Sequence, residues 1–372
     1  MTSALIPNQY SCIPPGGPLE LGDIEDLDGY PTVFCPWHNY DFNLKTGESS
    51  TGLQQQTYEV QVVGSEVYIN IDVELSRKPN SDQASDETNI RKTELSPDAI
   101  APRPSSDTLC NWAVTILCTP DPEKKVRLTL EVADRWITGD LSDIGECTPP
   151  DEPVHTKDLK VVAVGKTRKL GKAGSLGSRV SLLHSLANIE QWAIDLSWDI
   201  IARFSRSCVD GERPLPKEFF TDFVKVAADE AKHYKLLAER LLSLGSFFGS
   251  QPVHNGLWQS AQETSHSLLS RLAIVHMVHE ARGLDVHPKT HARFLSAGDK
   301  ESADLLEVLY TEEITHVATG IQWFSFICDS ITTFHELVRK HFKGYLKPPF
   351  DTSGREQAGM TEAWYLPLVK PS

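Results

Sequence analysis

The sequence contains no uncharged apolar run of the roughly 20 residues that a membrane-spanning helix needs. Its opening residues, MTSALIPNQYSC, lack the basic start and apolar stretch of a secretory signal, and they contain no Arg, which argues against a mitochondrial address. The seven cysteines are an odd number without an evident disulfide framework, which indicates a reducing compartment. We therefore expect a cytoplasmic protein without a membrane partner.

The sequence also has fewer basic than acidic residues: 36 Lys and Arg against 51 Asp and Glu, which gives a formal net charge of −15. An acidic total gives no reason to expect nucleic acid as a partner. One basic run, from Lys157 to Arg179, is able to contact RNA phosphates, although a solvated loop is the simpler interpretation. The sequence thus favours a small-molecule partner, with RNA modification as a minor alternative.

The chain divides at a polar stretch, residues 76–107, which is rich in Ser, Asp, Asn and Pro and is typical of a linker. Before it, residues 1–75 contain alternating runs at Tyr58–Val62 and Val67–Ile71 that predict short antiparallel strands. After it, residues 108–372 show helical patterns, beginning with Leu109–Thr138. The four clearest long patterns follow, at Ser181–Phe204, Phe219–Leu244, Thr264–Ala281 and Lys300–Phe326. The predicted fold is mainly α, with a small antiparallel β domain at the N-terminus.

The four long helical patterns carry, in order, a lone Glu, a Glu-x-x-His, a lone Glu and a second Glu-x-x-His. Residues at i and i+3 share one helix face, so each such pair can point at the same metal ions inside a four-helix bundle. A single Glu-x-x-His is usually a solvated surface pair, but two in this order, with two glutamates in apolar surroundings, indicate a diiron centre. The predicted iron ligands are Glu190, Glu230, His233, Glu280, Glu313 and His316.

One further histidine, His276, lies four residues before Glu280 on an apolar helical stretch. This spacing places it on the same helix face, where it is predicted to support the metal ligands from outside rather than serve only as core packing.

The N-terminal part contains Cys35-Pro36-Trp37-His38, which continues through Asp41 and Phe42 to Thr46-Gly47-Glu48. This resembles the second cluster-binding loop of a Rieske domain, in which two loops each supply one Cys and one His to a [2Fe-2S] cluster. The segment from Cys12 to Leu19 resembles the first loop, but Pro14 stands where the histidine is expected. Because proline has no ligating side-chain atom, Cys12, Cys35 and His38 leave one ligand missing.

Only eleven residues precede Cys12, so this Rieske-like domain is expected to be truncated. Three explanations remain open: a decayed domain kept for packing, a cluster completed by a substitute ligand, or an error in the start or splicing of the gene.

Five stretches of the second domain resemble a ferritin-like family of unknown function that is distantly similar to diiron tRNA hydroxylases. They are Cys118–Val126, Asp229–Tyr234, His279–Asp285, Glu312–His316 and Gly344–Phe350. The resemblance covers nearly all of the second domain, and it implies the ferritin-like bundle and its two iron ions without fixing a reaction.

Together these features predict a non-haem diiron oxygenase that acts on a small organic substrate with dioxygen. The Rieske-like domain is a candidate electron donor, with a separate reductase as the alternative because of Pro14. The competing hypothesis is a ferritin-like protein that stores iron or protects against peroxide without an organic substrate. The Pro- and Gly-containing segment Lys343–Leu368 favours the enzyme, since it is long enough to wrap the bundle and close a pocket.

Overall fold

The computed structural model describes residues 2–4, 24–27, 30–34, 41–48, 54, 57–63, 66–70, 106–162, 174–342 and 344–370. The chain divides into two compact units, residues 1–102 and residues 103–372. The first unit holds short antiparallel strands, and the second is built of helices. The mainly α fold with a small β region at the N-terminus is therefore confirmed.

The described strands of the first unit form two three-stranded antiparallel sheets, with strand orders β1-β5-β6 and β2-β3-β4. Val60 pairs with Ile69 and Val62 with Val67, so the hairpin expected from the alternating pattern is present. The strands are β1 (Thr2–Ala4), β2 (Ile24–Leu27), β3 (Tyr30–Phe34), β4 (Asp41–Asn43), β5 (Tyr58–Val63) and β6 (Glu66–Asn70).

A tight turn follows β4, within the part of the sequence that resembles a Rieske loop. The backbone N–H of Gly47 donates to the carbonyl of Asn43 at 2.7 Å, and the Asn43 side chain accepts from the N–H of Lys45 at 2.8 Å. Gly47 has a φ of +74°, a backbone conformation that glycine adopts without strain. The turn therefore explains the Thr-Gly-Glu part of the pattern in structural terms.

The second unit begins with two helices where the sequence predicted one helical stretch. A turn at Cys118–Asp121 separates them, and the Asp121 carboxylate accepts from the N–H of Lys124 at 2.7 Å while Pro122 opens the second helix. Both are favoured at a helix start, because the first N–H groups have no partner within the helix. The helices are α1 (Leu109–Leu117) and α2 (Pro122–Thr138).

Long helices form the body of this unit. They are α3 (Leu176–Phe204), α4 (Lys217–Ser243) and α8 (Lys300–Ile327), with a two-stranded ribbon, β7 (Cys208–Val209) and β8 (Arg213–Pro214), between the first two. Shorter elements are α5 (Gly256–Glu263), α9 (Ile331–His341), α10 (Thr352–Gln357), α11 (Glu362–Tyr365) and a final 3-10 turn (Leu366–Leu368).

The third long helical pattern differs most from its prediction, which ended at Ala281. The helical run comprises α6 (Leu268–Arg271), a π-helical segment (Leu272–His279) and α7 (Glu280–Ser296). Gly283 and Pro288 lower the helix propensity of the last part. Burial of Leu284 and Phe294 outweighs this loss, so α7 extends well beyond the predicted end.

Large aromatic side chains fill the interior of the helical unit, among them Trp198, Phe219, Phe223 and Phe324. The indole N–H of Trp198 donates to the hydroxyl of Thr129 at 3.0 Å, so its one polar atom is satisfied inside the core. No helix in the described ranges is long and apolar enough to cross a membrane.

Candidate metal centre

All six residues predicted as iron ligands meet inside the helical unit. α3 contributes one glutamate, α7 contributes another at its first residue, and α4 and α8 each contribute a Glu-x-x-His pair. They form two groups of four, and in each group one ligand atom per residue lies within 4.8 Å of the others. The first group is Glu190, Glu230, His233 and Glu313, and the second is Glu230, Glu280, Glu313 and His316.

The two groups share Glu230 and Glu313, so these carboxylates occupy the middle of the site. Nδ1 of His233 lies 3.4 Å from Oε2 of Glu230 and 3.4 Å from Oε1 of Glu313. Nδ1 of His316 lies 3.1 Å from Oε1 of Glu230 and 3.6 Å from Oε2 of Glu313. Each imidazole therefore faces the same two carboxylates from its own side, as ligands of two neighbouring metal ions would.

The buried atoms at the centre of the cluster lack hydrogen-bond partners among the described residues. They are both carboxylate oxygens of Glu230 and the Nδ1 atoms of His233 and His316. Buried polar atoms are nearly always paired, and an ion is one of the few explanations for a convergent set that is not. Carboxylate oxygens and imidazole nitrogens also suit first-row transition metals. The residues present therefore fit a metal site.

Electrostatics inside the cluster support the same fit. Burial, and then the charge of Glu230, raises the pKa of Glu190 well above its ordinary value. Burial and the charge of Glu313 raise the pKa of Glu280 in the same way. Burial opposes the charge of both imidazoles, but the surrounding carboxylates outweigh it and raise their pKa. Without metal, protons must offset the crowded carboxylates, whereas two divalent cations would neutralise all four.

Two further carboxylates, which belong to neither four-residue group, contact the ring nitrogens of the histidines that point away from the cluster. Their role was not predicted from the sequence. Nε2 of His233 lies 2.7 Å from Glu312, and Nε2 of His316 lies 3.4 Å from Asp229. Each acid precedes the glutamate of one Glu-x-x-His motif and contacts the histidine of the other motif. The repeated acid at this position was a signal that could have revealed them. Such contacts fix the ring orientation and direct the opposite nitrogen towards the metal position.

The π-helical segment lies directly before Glu280 and packs closely against α8. A Cβ on Gly320 would overlap the backbone carbonyl of His276, so only glycine permits this approach. The ring of His276 packs edge-on against Phe223 at 4.8 Å, and its Nε2 has no hydrogen-bond partner in the described structure. Burial, and then the charge of Arg271, lowers its pKa to about 3. The supporting role assigned to His276 remains a prediction.

A cavity of about 790 Å³ adjoins the cluster and includes four of its glutamates, Glu190, Glu230, Glu280 and Glu313, in its wall. Most of the remaining wall is apolar, and it includes Leu186, Ile189, Leu257, Leu284, Leu306 and Leu309. This size and lining are typical of pockets for small organic ligands. The carboxylate cluster is therefore accessible to a molecule other than water.

The C-terminal segment contacts the helices behind this cavity. The hydroxyl of Tyr310, a cavity residue, donates to Asp351 at 2.5 Å, and Arg355 forms an ion pair with Asp285 of α7 at 2.7 Å. No residue from 344–370 itself lines the cavity. This part of the segment thus supports the wall from outside rather than covering the opening.

Two sets of predicted residues lie partly or wholly beyond this description. Cys12, Cys35 and His38, together with Pro14, are outside the described residues. So are the central members of the basic run, residues 163–173, whereas Arg179 at its end pairs with Asp299 at 2.8 Å. That internal ion pair removes one of the cations that an RNA site would use.

Comparison with known proteins divides the chain in the same manner. A family model described as "Protein of unknown function (DUF455)" matches residues 118–366, and one described as "Soluble Rieske-type ferredoxin" matches residues 7–61. An uncharacterized protein of Haemophilus influenzae is 30% identical over 257 residues, which cover 67% of this chain and 89% of that protein. A Rieske domain-containing protein of Homo sapiens is 38% identical over 77 residues, which cover 16% of this chain and 49% of that protein.

No solved structure matches the chain. The Rieske-type match indicates a domain of the electron-transfer class. Because the first family model covers most of the chain, the protein belongs to the family of unknown function DUF455 and carries a Rieske-type ferredoxin domain at its N-terminus.

Proposed function

We propose that the helical unit is a ferritin-like diiron domain that uses dioxygen to oxidise a small organic substrate. The observation that carries the proposal is the pair of overlapping four-residue groups, each with carboxylates and one histidine, that share Glu230 and Glu313. A shared pair of carboxylates between two histidines is the donor arrangement of diiron bundles.

In this proposal, Glu190 and His233 would hold one iron and Glu280 and His316 the other, and Glu230 and Glu313, which belong to both groups, would serve both. A reduced diiron centre, when bound, would activate dioxygen so that oxygen can be inserted into a C–H or N–H bond. The protein contributes the rest: Glu312 and Asp229 orient the imidazoles, and the leucines of the cavity wall would hold an apolar substrate beside the carboxylates.

Electron supply is assigned to a separate reductase. The N-terminal domain is of the Rieske type, but its first loop offers Cys12 and Pro14 where a Cys and a His are needed. The residues of this loop do not fit a complete two-Cys, two-His cluster, so no electron is routed through the domain. A [2Fe-2S] signal from the purified chain would reverse this assignment.

Iron storage is the competing function, and the apolar cavity argues against it. A storage site needs a polar path for hydrated iron, whereas this cavity presents leucines beside the metal ligands. If the protein accumulated many irons per chain in a multi-subunit shell, storage would replace the oxygenase proposal.

The direct test is to load the purified chain with Fe²⁺ without oxygen, remove excess metal, and measure iron and then dioxygen consumption after mixing with air. We expect two irons per chain and rapid consumption of oxygen. His233→Ala and Glu280→Ala should each reduce the iron content and oxygen consumption, because each removes a ligand of one group.

Glu307→Ala provides the matched control, since this glutamate lies on α8 with its side chain 53% exposed and outside both groups. It should retain both irons. Retention of two irons per chain by His233→Ala and Glu280→Ala alike would reject the proposed metal centre.

A further inference from the structure

The wall of the cavity contains one cation that no described residue neutralises. Arg282 lies on α7 two residues after Glu280, lines the cavity, and forms neither a hydrogen bond nor an ion pair with any described residue. Two other polar side chains of the wall do have partners: His279 contacts the hydroxyl of Ser260 at 2.9 Å, and Tyr310 donates to Asp351. The guanidinium of Arg282 is half-buried, and its five donors are available to an acceptor group of a ligand.

The charge of this wall depends on Arg282. Guanidinium groups remain charged at every physiological pH. Arg282 is therefore a permanent positive charge in the wall of the cavity.

One acidic residue of the wall lies outside the metal cluster, and it does not pair with Arg282. Glu263, at the end of α5, is a cavity residue whose charge acts on His341 instead. The four cluster glutamates would be neutralised by two divalent ions in the proposed function. With the metals bound, a ligand in the cavity would meet the apolar side chains of the wall and, within one helical turn of Glu280, the cation of Arg282.

We propose that the cavity binds an apolar organic acid, whose acidic group pairs with Arg282 while its hydrocarbon part lies along Leu284, Leu306 and Leu309. The inference rests on the proposed function for the statement that this molecule is the substrate. The binding itself needs the cluster carboxylates to be neutralised, by metal or by protons, but it does not need the reaction of iron with dioxygen. From Glu280 to Thr290, α7 forms a wall about 15 Å long, since a helix rises about 1.5 Å per residue. Pairing with Arg282 fixes which end of the acid lies nearest to the metal ligands.

The test uses N-phenyl-1-naphthylamine, an uncharged dye that fluoresces in apolar pockets, and displaces it with decanoate or 1-decanol. These competitors have the same chain length and differ in the acidic group. A charge-assisted contact contributes about 1.5–3 kcal/mol, so decanoate should displace the dye at a concentration about tenfold or more below that of decanol. Arg282→Ala should abolish this preference and leave the decanol value unchanged.

Two further variants locate the effect. Arg293→Ala removes an arginine of α7 that does not line the cavity, and it should keep the preference for decanoate. Val286→Trp places a bulky indole in the cavity at a position that is 47% exposed. It should therefore weaken dye binding without disturbing the core.

Equal displacement by decanoate and decanol in the unmodified protein, or an unchanged preference in Arg282→Ala, would overturn the inference. Dye binding that Val286→Trp leaves intact would place the dye elsewhere and would also overturn it. Iron content is measured on the same samples, so a protein that binds two irons but shows no acid preference refutes only this inference. A protein without iron that still prefers decanoate refutes only the oxygenase.

Discussion

α3 carries two kinds of buried carboxylate, and the contrast between them distinguishes structural acids from metal-facing ones. Asp195 is fully buried and forms ion pairs with Lys125 and, at 2.7 Å, with His155. Asp199, one turn further on, is also fully buried and pairs with Arg203 at 2.8 Å and with Arg271. Both aspartates therefore have protein cations as partners.

Glu190 lies on the same helix and is 6% exposed, but its surroundings are different. Its neighbours include Glu230, another buried acid, and His233, whose Nδ1 is 3.6 Å away and also faces Glu313. No Lys or Arg pairs with either buried glutamate among the described residues. Burial of an acid is thus common to both sets, and the lack of a permanent protein cation is what marks the metal-facing set.

The strongest test of this contrast is Glu230→Ala, because this residue belongs to both four-residue groups. It should remove both irons, whereas His233→Ala or His316→Ala should remove about one. Iron per chain is measured by elemental analysis after anaerobic loading and desalting. Two irons retained in Glu230→Ala would show that the shared carboxylate is not a ligand.

The second test breaks a cation-paired acid. Lys125→Met leaves Asp195 buried with His155 as its one remaining partner among the described residues, and removal of one member of a buried ion pair typically costs about 3–5 kcal/mol. The free energy of unfolding of the iron-free protein, from urea denaturation, should fall accordingly. Iron content should remain at the level of the unmodified protein, because neither residue is in the metal cluster.

The double variant Lys125→Met/Asp195→Leu is its control. Replacing both charges with apolar side chains removes the uncompensated carboxylate, so most of the lost stability should return. If the double variant were as unstable as the single one, packing rather than charge would explain the cost.

The six cluster residues could be predicted because their signal is local. The i, i+3 spacing of Glu230 with His233, and of Glu313 with His316, fixes one helix face without any knowledge of tertiary structure. Glu190 and Glu280 were identifiable from their apolar neighbours, since an uncompensated acid in such surroundings is costly. Their convergence then needed only the order of the helices along the chain.

The features that were missed depend on contacts between helices. Glu312 and Asp229 act on histidines of the opposite helix, and no spacing within one helix shows which histidine each will contact. The π-helical segment has i to i+5 hydrogen bonds, and the residue types along this stretch give no sign of that hydrogen-bond pattern. The sequence pattern assumed a regular α-helix there.

The third test concerns the close packing of the π-helical backbone against α8, directly before Glu280. Gly320→Ala adds a Cβ that overlaps the carbonyl of His276, and overpacking of this kind typically costs about 1–3 kcal/mol. The free energy of unfolding should fall, and the iron site nearest Glu280 should bind more weakly. Gly283→Ala is the matched control, because its Cβ meets nothing within 4 Å and should leave stability equal or slightly higher.

The smallest expected effect belongs to the acids outside the metal cluster, and it separates orientation from ligation. Glu312→Gln keeps an oxygen that can accept from Nε2 of His233 but removes the negative charge. Loss of such an outer contact typically weakens metal binding 10–100-fold, and the retained acceptor should limit the change to about tenfold. Iron affinity is measured by competition with a chelator, with Glu307→Gln as the exposed control on the same helix.

If Glu312→Gln lost iron as completely as Glu230→Ala, Glu312 would be a ligand rather than a positioning residue. If it had no effect, the orientation of His233 would have to come from its packing alone.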